Sequence, residues 1–345
     1  MKRIIVNLIS TVLLAALGMG ICSCSNMPDL FKAEPTDPDM TGVPVKMVND
    51  FLIVGNTGYE LYNFRQDMAD KYASVINKAS QTAPAGTRIF DILVPTAIDV
   101  TLARSVRDQY NTDDQQQAIN YIYGNISASV NKVDVYDTLR LHRDEYIFFM
   151  TDHHYTSRGA WYTYIQFCNA AGLSVADLDN DFTPTMFQNF HGSFYTNTNG
   201  YETLNTPDYV VAYIPKATNS IKITQGDGTP LDWNIVSDVS GWDSSSLYNA
   251  FIGGDQPWSV ITNDHVTDGS SCIVIKESYG NPFVPYLVPN YNKIYVIDYR
   301  HYSKISGKHL SDIIAETGAR DVIFINNMSM TRSSDLVGKL SGLVG

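Results

Sequence analysis

Residues 271–327 read SCIVIKESYGNPFVPYLVPNYNKIYVIDYRHYSKISGKHLSDIIAETGARDVIFINN. Three apolar runs stand out, Cys272 to Ile275, Lys293 to Ile297 and Asp321 to Ile325, each short enough for a buried strand. Between them lie two stretches with helical patterning, Phe283 to Val288 and His309 to Glu316, the second stopped near Gly318. Strand, helix, strand, helix, strand at this spacing predicts parallel pairing through right-handed crossovers. The carboxyl ends of such strands line one crevice. Ser278, Asp298-Tyr299-Arg300 and Asn326-Asn327 follow the three runs directly, so the pattern places them in one region.

Upstream, residues 182–265 change character. Short alternating runs (Phe187 to Tyr195, Tyr209 to Ile214, Ile221 to Thr224, Trp233 to Val236) are separated by Gly, Asn, Asp and Pro, with Gly226-Asp227-Gly228 as a hairpin turn. This reads as a β-rich insertion in an α/β domain spanning residues 48–345. Further back, Tyr146 to Met150 is an apolar run that predicts a strand. It is followed by Asp152-His153-His154-Tyr155, and Thr156 caps a helix to about Ala171 with Ala160, Trp161, Tyr164, Phe167 and Cys168 on its buried face. The first folded segment starts at Phe51-Leu52-Ile53-Val54. A helix is expected from Arg65 to Ala79 and a strand from Arg88 to Val94. A second helix is expected from Thr112 to Lys132, with Thr112 and Gln115 as a capping box, and a strand around Val133–Tyr136.

The N-terminus has the pattern of an export signal. Lys2 and Arg3 precede an apolar run from Ile4 to Ile21. Ile21-Cys22-Ser23-Cys24 has the form of a lipobox, with Cys24 as the lipid-modified residue; ordinary cleavage nearby and an uncleaved anchor helix are the alternatives. Each sends the rest of the chain outside the cytoplasm, to the cell envelope or beyond, with the membrane as a partner through the lipid or anchor. Residues 1–24 are thus read as the signal. Residues 25–47, with four prolines, are read as a flexible tether.

The chain has 345 residues and a formal net charge of −12. With no basic stripe, that charge argues against a nucleic-acid partner. Cys168 and Cys272 each lie in an apolar segment, which favours two buried free thiols over a bridge.

A carboxylate two residues from an imidazole can orient it and stabilise its charged form. Asp152 and His154 have that spacing. Ser278, at a tight strand-to-helix turn, can present its hydroxyl to a cleft while nearby N–H groups face an oxyanion, although it lacks the Gly-x-Ser-x-Gly frame and serves equally well as a helix cap. Asp152, His153 and His154, joined by Asp264 and His265, are also competent metal donors. Adjacent residues rarely close a tetrahedral site, and no Cys pair or His-Glu-x-x-His accompanies them.

The stretch Thr151-Asp-His-His-Tyr-Thr-Ser-Arg-Gly-Ala-Trp161 resembles the signature of the bacterial DHHW protein family. That family is similar to permuted SGNH-hydrolase-like proteins of the alginate O-acetyltransferase type. Gly55-Asn56, Val94-Pro95-Thr96-Ala97-Ile98-Asp99, Lys276-Glu277-Ser278-Tyr279-Gly280-Asn281 and Asp321 to Asn327 agree with it. Tyr155 stands in place of the Trp, Glu277 in place of the usual Asp before the serine, and Lys276 in place of the hydrolases' glycine. The resemblance implies an SGNH-hydrolase-like three-layer α/β fold with a parallel central sheet. It also implies Asp152 as orienter, His154 as base and Ser278 as nucleophile, with Asn326 or Asn327 and N–H groups near Ser278 and Gly280 at the oxyanion. The function it implies is that of a serine esterase or O-acetyltransferase, without cofactor, acting on a polysaccharide or other acylated envelope glycan. Tyr299, Arg300 and Trp161 are expected to line the sugar site or to pack. A catalytically inactive glycan-binding protein of the same fold and a metal-dependent hydrolase are the alternatives.

Overall fold

The computed structural model describes residues 36–345. The expected signal, Cys24 and the first part of the tether lie outside the described residues. The rest of the expected tether is anchored: the Asp37 carboxylate accepts from Arg104 N (3.0 Å) and Arg143 Nη2 (2.6 Å), and a strand already starts at Val45.

Strands β1 (Val45–Val48), β2 (Phe51–Val54) and β3 (Thr57–Glu60) form a small antiparallel sheet. The central sheet has eight strands. They are β4 (Arg88–Val94), β5 (Val130–Val133), β8 (Ser220–Thr224), β9 (Pro230–Asn234), β10 (Trp258–Thr262), β11 (Ser271–Lys276), β12 (Lys293–Asp298) and β13 (Asp321–Asn327); β6 (Phe182–Phe190) and β7 (Asp208–Pro215) pair separately. The order is β5-β4-β13-β11-β12-β10-β8-β9. Pairing is parallel from β5 to β12 and antiparallel from β12 to β9. Three strands of the β-rich stretch, β8, β9 and β10, extend the central sheet.

Alternation along the parallel strands explains the three layers. Ile273, Ile275, Val322 and Phe324 face one layer, where they meet Tyr72 and Ile76 of the Gln66–Thr82 helix, Ile313 of Leu310–Thr317 and Leu340 of Ser334–Val344. Cys272, Val274, Ile323 and Ile325 face the other, packed with Tyr164 and Phe167 of the Ser157–Ala171 helix and with Phe182 of β6. A strand buried on both faces must be apolar throughout, which is why these runs show no polar alternation.

Four elements outside the β-rich stretch differ from expectation. The second helix covers only Gln115–Asn125, capped by Asp114, whose side chain accepts from Gln117 N (2.9 Å). Thr112 instead accepts from Tyr62 N. Ile126 and Val130 continue the apolar stripe and enter the same core, but from a loop and from β5, so periodicity alone ran past the helix end. The strand expected at Val133–Tyr136 is β5, ending at Val133; a short helix starts at Tyr136. Tyr146–Met150 joins no sheet: the run turns back on itself, Phe148 bridging Tyr155 and Thr156 N donating to Ile147 O (2.9 Å). The segment after Phe283 is a 3-10 helix, Val284–Asn290; Pro285 and Pro289 each remove an N–H donor.

Candidate active site

β11 delivers Ser278. After Lys276 the chain bends at Glu277 into a one-turn 3-10 segment, Ser278–Gly280. Glu277, not Ser278, caps it, its Oε2 accepting from Tyr279 N (3.2 Å). A Cβ on Gly280 would lie 2.4 Å from Lys276 Cβ, so only glycine lets the turn fold back this closely onto the strand. The other half of the site comes from the hairpin-like loop after Met150. Asp208 holds its base by accepting from Met150 N, Thr151 N and Thr151 Oγ1, and it also bonds the Tyr146 hydroxyl.

The two halves meet. His154 Nε2 lies 2.7 Å from Ser278 Oγ, and His154 Nδ1 lies 2.6 Å from Asp152 Oδ1. All three side chains are buried. Asp152 Oδ1 also accepts from His154 N (2.9 Å) and Oδ2 from Ser193 N (2.7 Å). Burial on its own would raise the Asp152 carboxyl. His154, His153 and these donors overcome it and hold the group well below the usual carboxylate range. The carboxylate thus stays charged where it faces the imidazole. A hydroxyl, an imidazole and a carboxylate in this chain can pass the Ser278 proton to the ring and stabilise the imidazolium. Tyr248 covers the His154 ring, stacked at 4.0 Å and 14°, and its hydroxyl donates to Ser278 O (2.9 Å).

Ser278 opens into a cleft of about 560 Å³ lined also by His153, Glu277, Arg300, Asn327 and Arg332. Arg300 reaches it while paired with Asp298 (2.6 Å) and Asp255 (2.9 Å). Asn326 does not: its Oδ1 accepts from Tyr299 OH (3.0 Å) and its Nδ2 faces Tyr72 OH (3.4 Å), inside the sheet. Asn327 does, with Oδ1 accepting from Met330 N and no protein partner on Nδ2 among the described residues. The N–H of Gly280 is spent on Glu277 O (3.0 Å) and cannot face an oxyanion. Tyr299 and Trp161 are packing residues, the former in the sheet core and the latter against Tyr164 and Tyr286.

Asp152, His153 and His154 do bring ligand atoms within 4.8 Å of one another, and Asp264 and His265 do not join them. Both His154 nitrogens already face hydrogen-bond partners, so a metal there would have to displace Asp152 or Ser278.

Sequence reasoning missed the loop that clamps Asp152. β6 ends at Phe190, short of the expected Tyr195, and Gly192-Ser193 lies across Asp152. A Cβ on Gly192 would come within 2.1 Å of Asp152 Cβ. The signal was His191-Gly192-Ser193 breaking an alternating run. Glu277 also contacts Ser278 Oγ (3.2 Å) and accepts from Asn327 N (3.0 Å). Burial pushes its carboxyl up, against Arg300 and the backbone N–H donors.

A DHHW protein from Eubacterium siraeum DSM 15702 superposes with a TM-score of 0.79, at 27% identity, over 88% of this chain and 99% of that one. PatB1 of Bacillus cereus, solved with a sulfonyl adduct, shares the fold at a TM-score of 0.68 and 19% identity, over 85% of this chain and 98% of that one. The O-acetyltransferase domain of Pseudomonas putida AlgJ gives 0.48 at 12% identity over 87% and 99%, too distant to argue from. No curated protein matches the chain in sequence. The model of the family described as DHHW protein matches residues 36–297, and the chain belongs to that family.

Proposed function

We propose that this is an exported serine esterase or O-acetyltransferase acting on a cell-envelope or extracellular polysaccharide. The observation that carries the reading is the unbroken Asp152–His154–Ser278 hydrogen-bond chain, 2.6 and 2.7 Å, whose Ser278 end lines an open cleft. His154 takes the Ser278 proton as Oγ attacks the acyl carbon. The collapsing intermediate expels the donor alcohol, which leaves with the proton from His154, and an acetyl-serine remains. A sugar hydroxyl or water then gives its proton to His154 and attacks the ester, and Ser278 regains its hydrogen. Asp152 keeps the ring in the tautomer that leaves Nε2 free to accept. The oxyanion is assigned to Ser278 N–H, which has no acceptor among the described residues, and to the Asn327 amide. Export, and lipidation at Cys24 as the anchor to the membrane, rest on the N-terminal sequence.

Ser278→Ala is expected to abolish hydrolysis of a chromogenic acetyl ester while the circular dichroism spectrum is unchanged. A fluorophosphonate should label the wild-type protein at Ser278 and leave the variant unlabelled. Equal ester turnover in the two proteins would remove Ser278 as nucleophile.

A further inference from the structure

The acyl-transfer reading uses Asp152 and His154 of the Asp152–Tyr155 turn; Tyr155 is buried against Tyr279, and His153 is left facing the cleft without a task. It lines the cleft beside Ser278, and its side chain is 35% exposed. Its ring lies 3.8 Å from that of His154. Both ends of the residue are held: its carbonyl accepts from Tyr279 OH (2.5 Å), and its N–H donates to Ser193 Oγ (3.3 Å). The same Ser193 Oγ lies 2.6 Å from His153 Nδ1.

One tautomer gives every proton of this contact an acceptor. Ser193 Oγ already accepts from the His153 amide, and the acceptor placed for its own proton is His153 Nδ1. A ring that accepts at Nδ1 carries its hydrogen at Nε2. Among the described residues Nε2 has no partner, and the ring borders the cleft. Burial and the neighbouring His154 hold His153 below the usual histidine range, which keeps it a neutral donor. A charged ring there would repel the imidazolium that forms on His154.

We propose that Ser193 and His153 form a second relay beside Asp152 and His154, in which the Nε2–H of His153 donates to a sugar oxygen of the esterified or accepting alcohol. Ser193 is the positioning residue and His153 the substrate contact. The inference rests on the acyl-transfer reading of Ser278 and adds to it a named donor to the sugar part of the substrate.

Two measurements test it. In protein labelled with ¹⁵N-histidine, His153 (identified by its loss in H153Q) should show the Nε2–H tautomer, and Ser193→Ala should turn that signature into a tautomer mixture. An Nδ1–H ring in the wild type overturns the relay. With glucose penta-acetate as substrate, His153→Ala should raise KM about five- to tenfold, the size of one neutral hydrogen bond. The effect on kcat should be smaller. His153→Gln, which can still donate from its amide, should recover most of the loss. Fluorophosphonate labelling of Ser278 in each variant checks that His154 and Ser278 still meet. A labelled protein whose KM is unchanged in H153A overturns the contact alone. A wild-type protein that takes no label overturns the acyl-transfer reading and this contact with it.

Discussion

Asp152 is gripped on both oxygens, by the His154 ring and main chain on one and by Ser193 N–H on the other. Gly192 makes the second grip possible. Its missing Cβ is where the Asp152 side chain lies, so Gly192→Ala must push the Gly192-Ser193 backbone away and break the 2.7 Å bond to Oδ2. Displacing a catalytic group by about 1 Å costs on the order of 100-fold in rate. G192A is therefore expected to lose about two orders of magnitude in ester turnover and in fluorophosphonate labelling rate, while remaining folded by circular dichroism. Wild-type labelling in G192A would show that the clamp does not set the His154 position. The break at His191-Gly192-Ser193 marked the loop in sequence, but the need for glycine there is steric and comes from a carboxylate 40 positions away, whereas the Asp-x-His spacing is local and was legible.

β4 carries its own anomaly. Asp91 is completely buried in the strand, with Tyr72 OH donating to Oδ1 (2.5 Å) and no partner on Oδ2 among the described residues. Burial raises its carboxyl to about 7, against the Tyr72 bond. A carboxyl raised by folding binds its proton more tightly in the native state, so its contribution is complete below the unfolded value near 4. That contribution is lost as pH climbs through about 7, at roughly 1.4 kcal/mol per pH unit in between. Asp91→Asn keeps an acceptor for Tyr72 and cannot ionise. Thermal melts from pH 5 to 8 should show the wild type losing stability relative to D91N as pH rises; parallel curves would mean that Asp91 does not titrate in this window. The same strand shows what was legible at the level of elements. Arg88–Val94 and the three strands of residues 271–327 were readable because burial on both faces demands long apolar runs, which Asp91 interrupts only once in β4. Tyr146–Met150 obeys the same rule without being in a sheet, because a buried loop with its own backbone partners looks identical in one dimension. Telling Asn326 from Asn327 needed the pleat: adjacent strand residues point to opposite faces, and only one of those faces opens on Ser278.

Across the whole molecule, the parallel half of the sheet gathers Ser278, Arg300 and Asn327 at its strand ends, and the antiparallel half reaches back to the same place. Ile252, Gly253 and Gly254 all have positive φ (49°, 68° and 76°), a left-handed run that costs free energy at a β-branched residue. It carries Asp255 to Lys276 (3.4 Å), Arg300 (2.9 Å) and Asn281 (3.0 Å), next to the nucleophile turn. Burial alone would raise Asp255; Lys276 and Arg300 hold it well below the carboxylate range, so it stays charged. A stretch that reads as a β-rich insertion in the domain is thus bound to the sheet by strand pairing and to the site by ion pairs, and the assembly should unfold as one unit. Two thiols report on this. Cys168, on the helix packed over the sheet, and Cys272, in β11, are free and fully buried. Burial pushes Cys168 to about 12 and Cys272 well above its ordinary value, which leaves almost no thiolate to react. Under native conditions both positions should resist an aromatic disulfide reagent, and in rising urea both should become modified along the same curve that circular dichroism traces. Mass spectrometry of the modified peptides separates the two sites. Modification of Cys168 ahead of Cys272, at urea concentrations where the far-ultraviolet signal is still native, would show that the Ser157–Ala171 layer, and with it the base of the histidine loop, opens independently of the strand that carries Ser278.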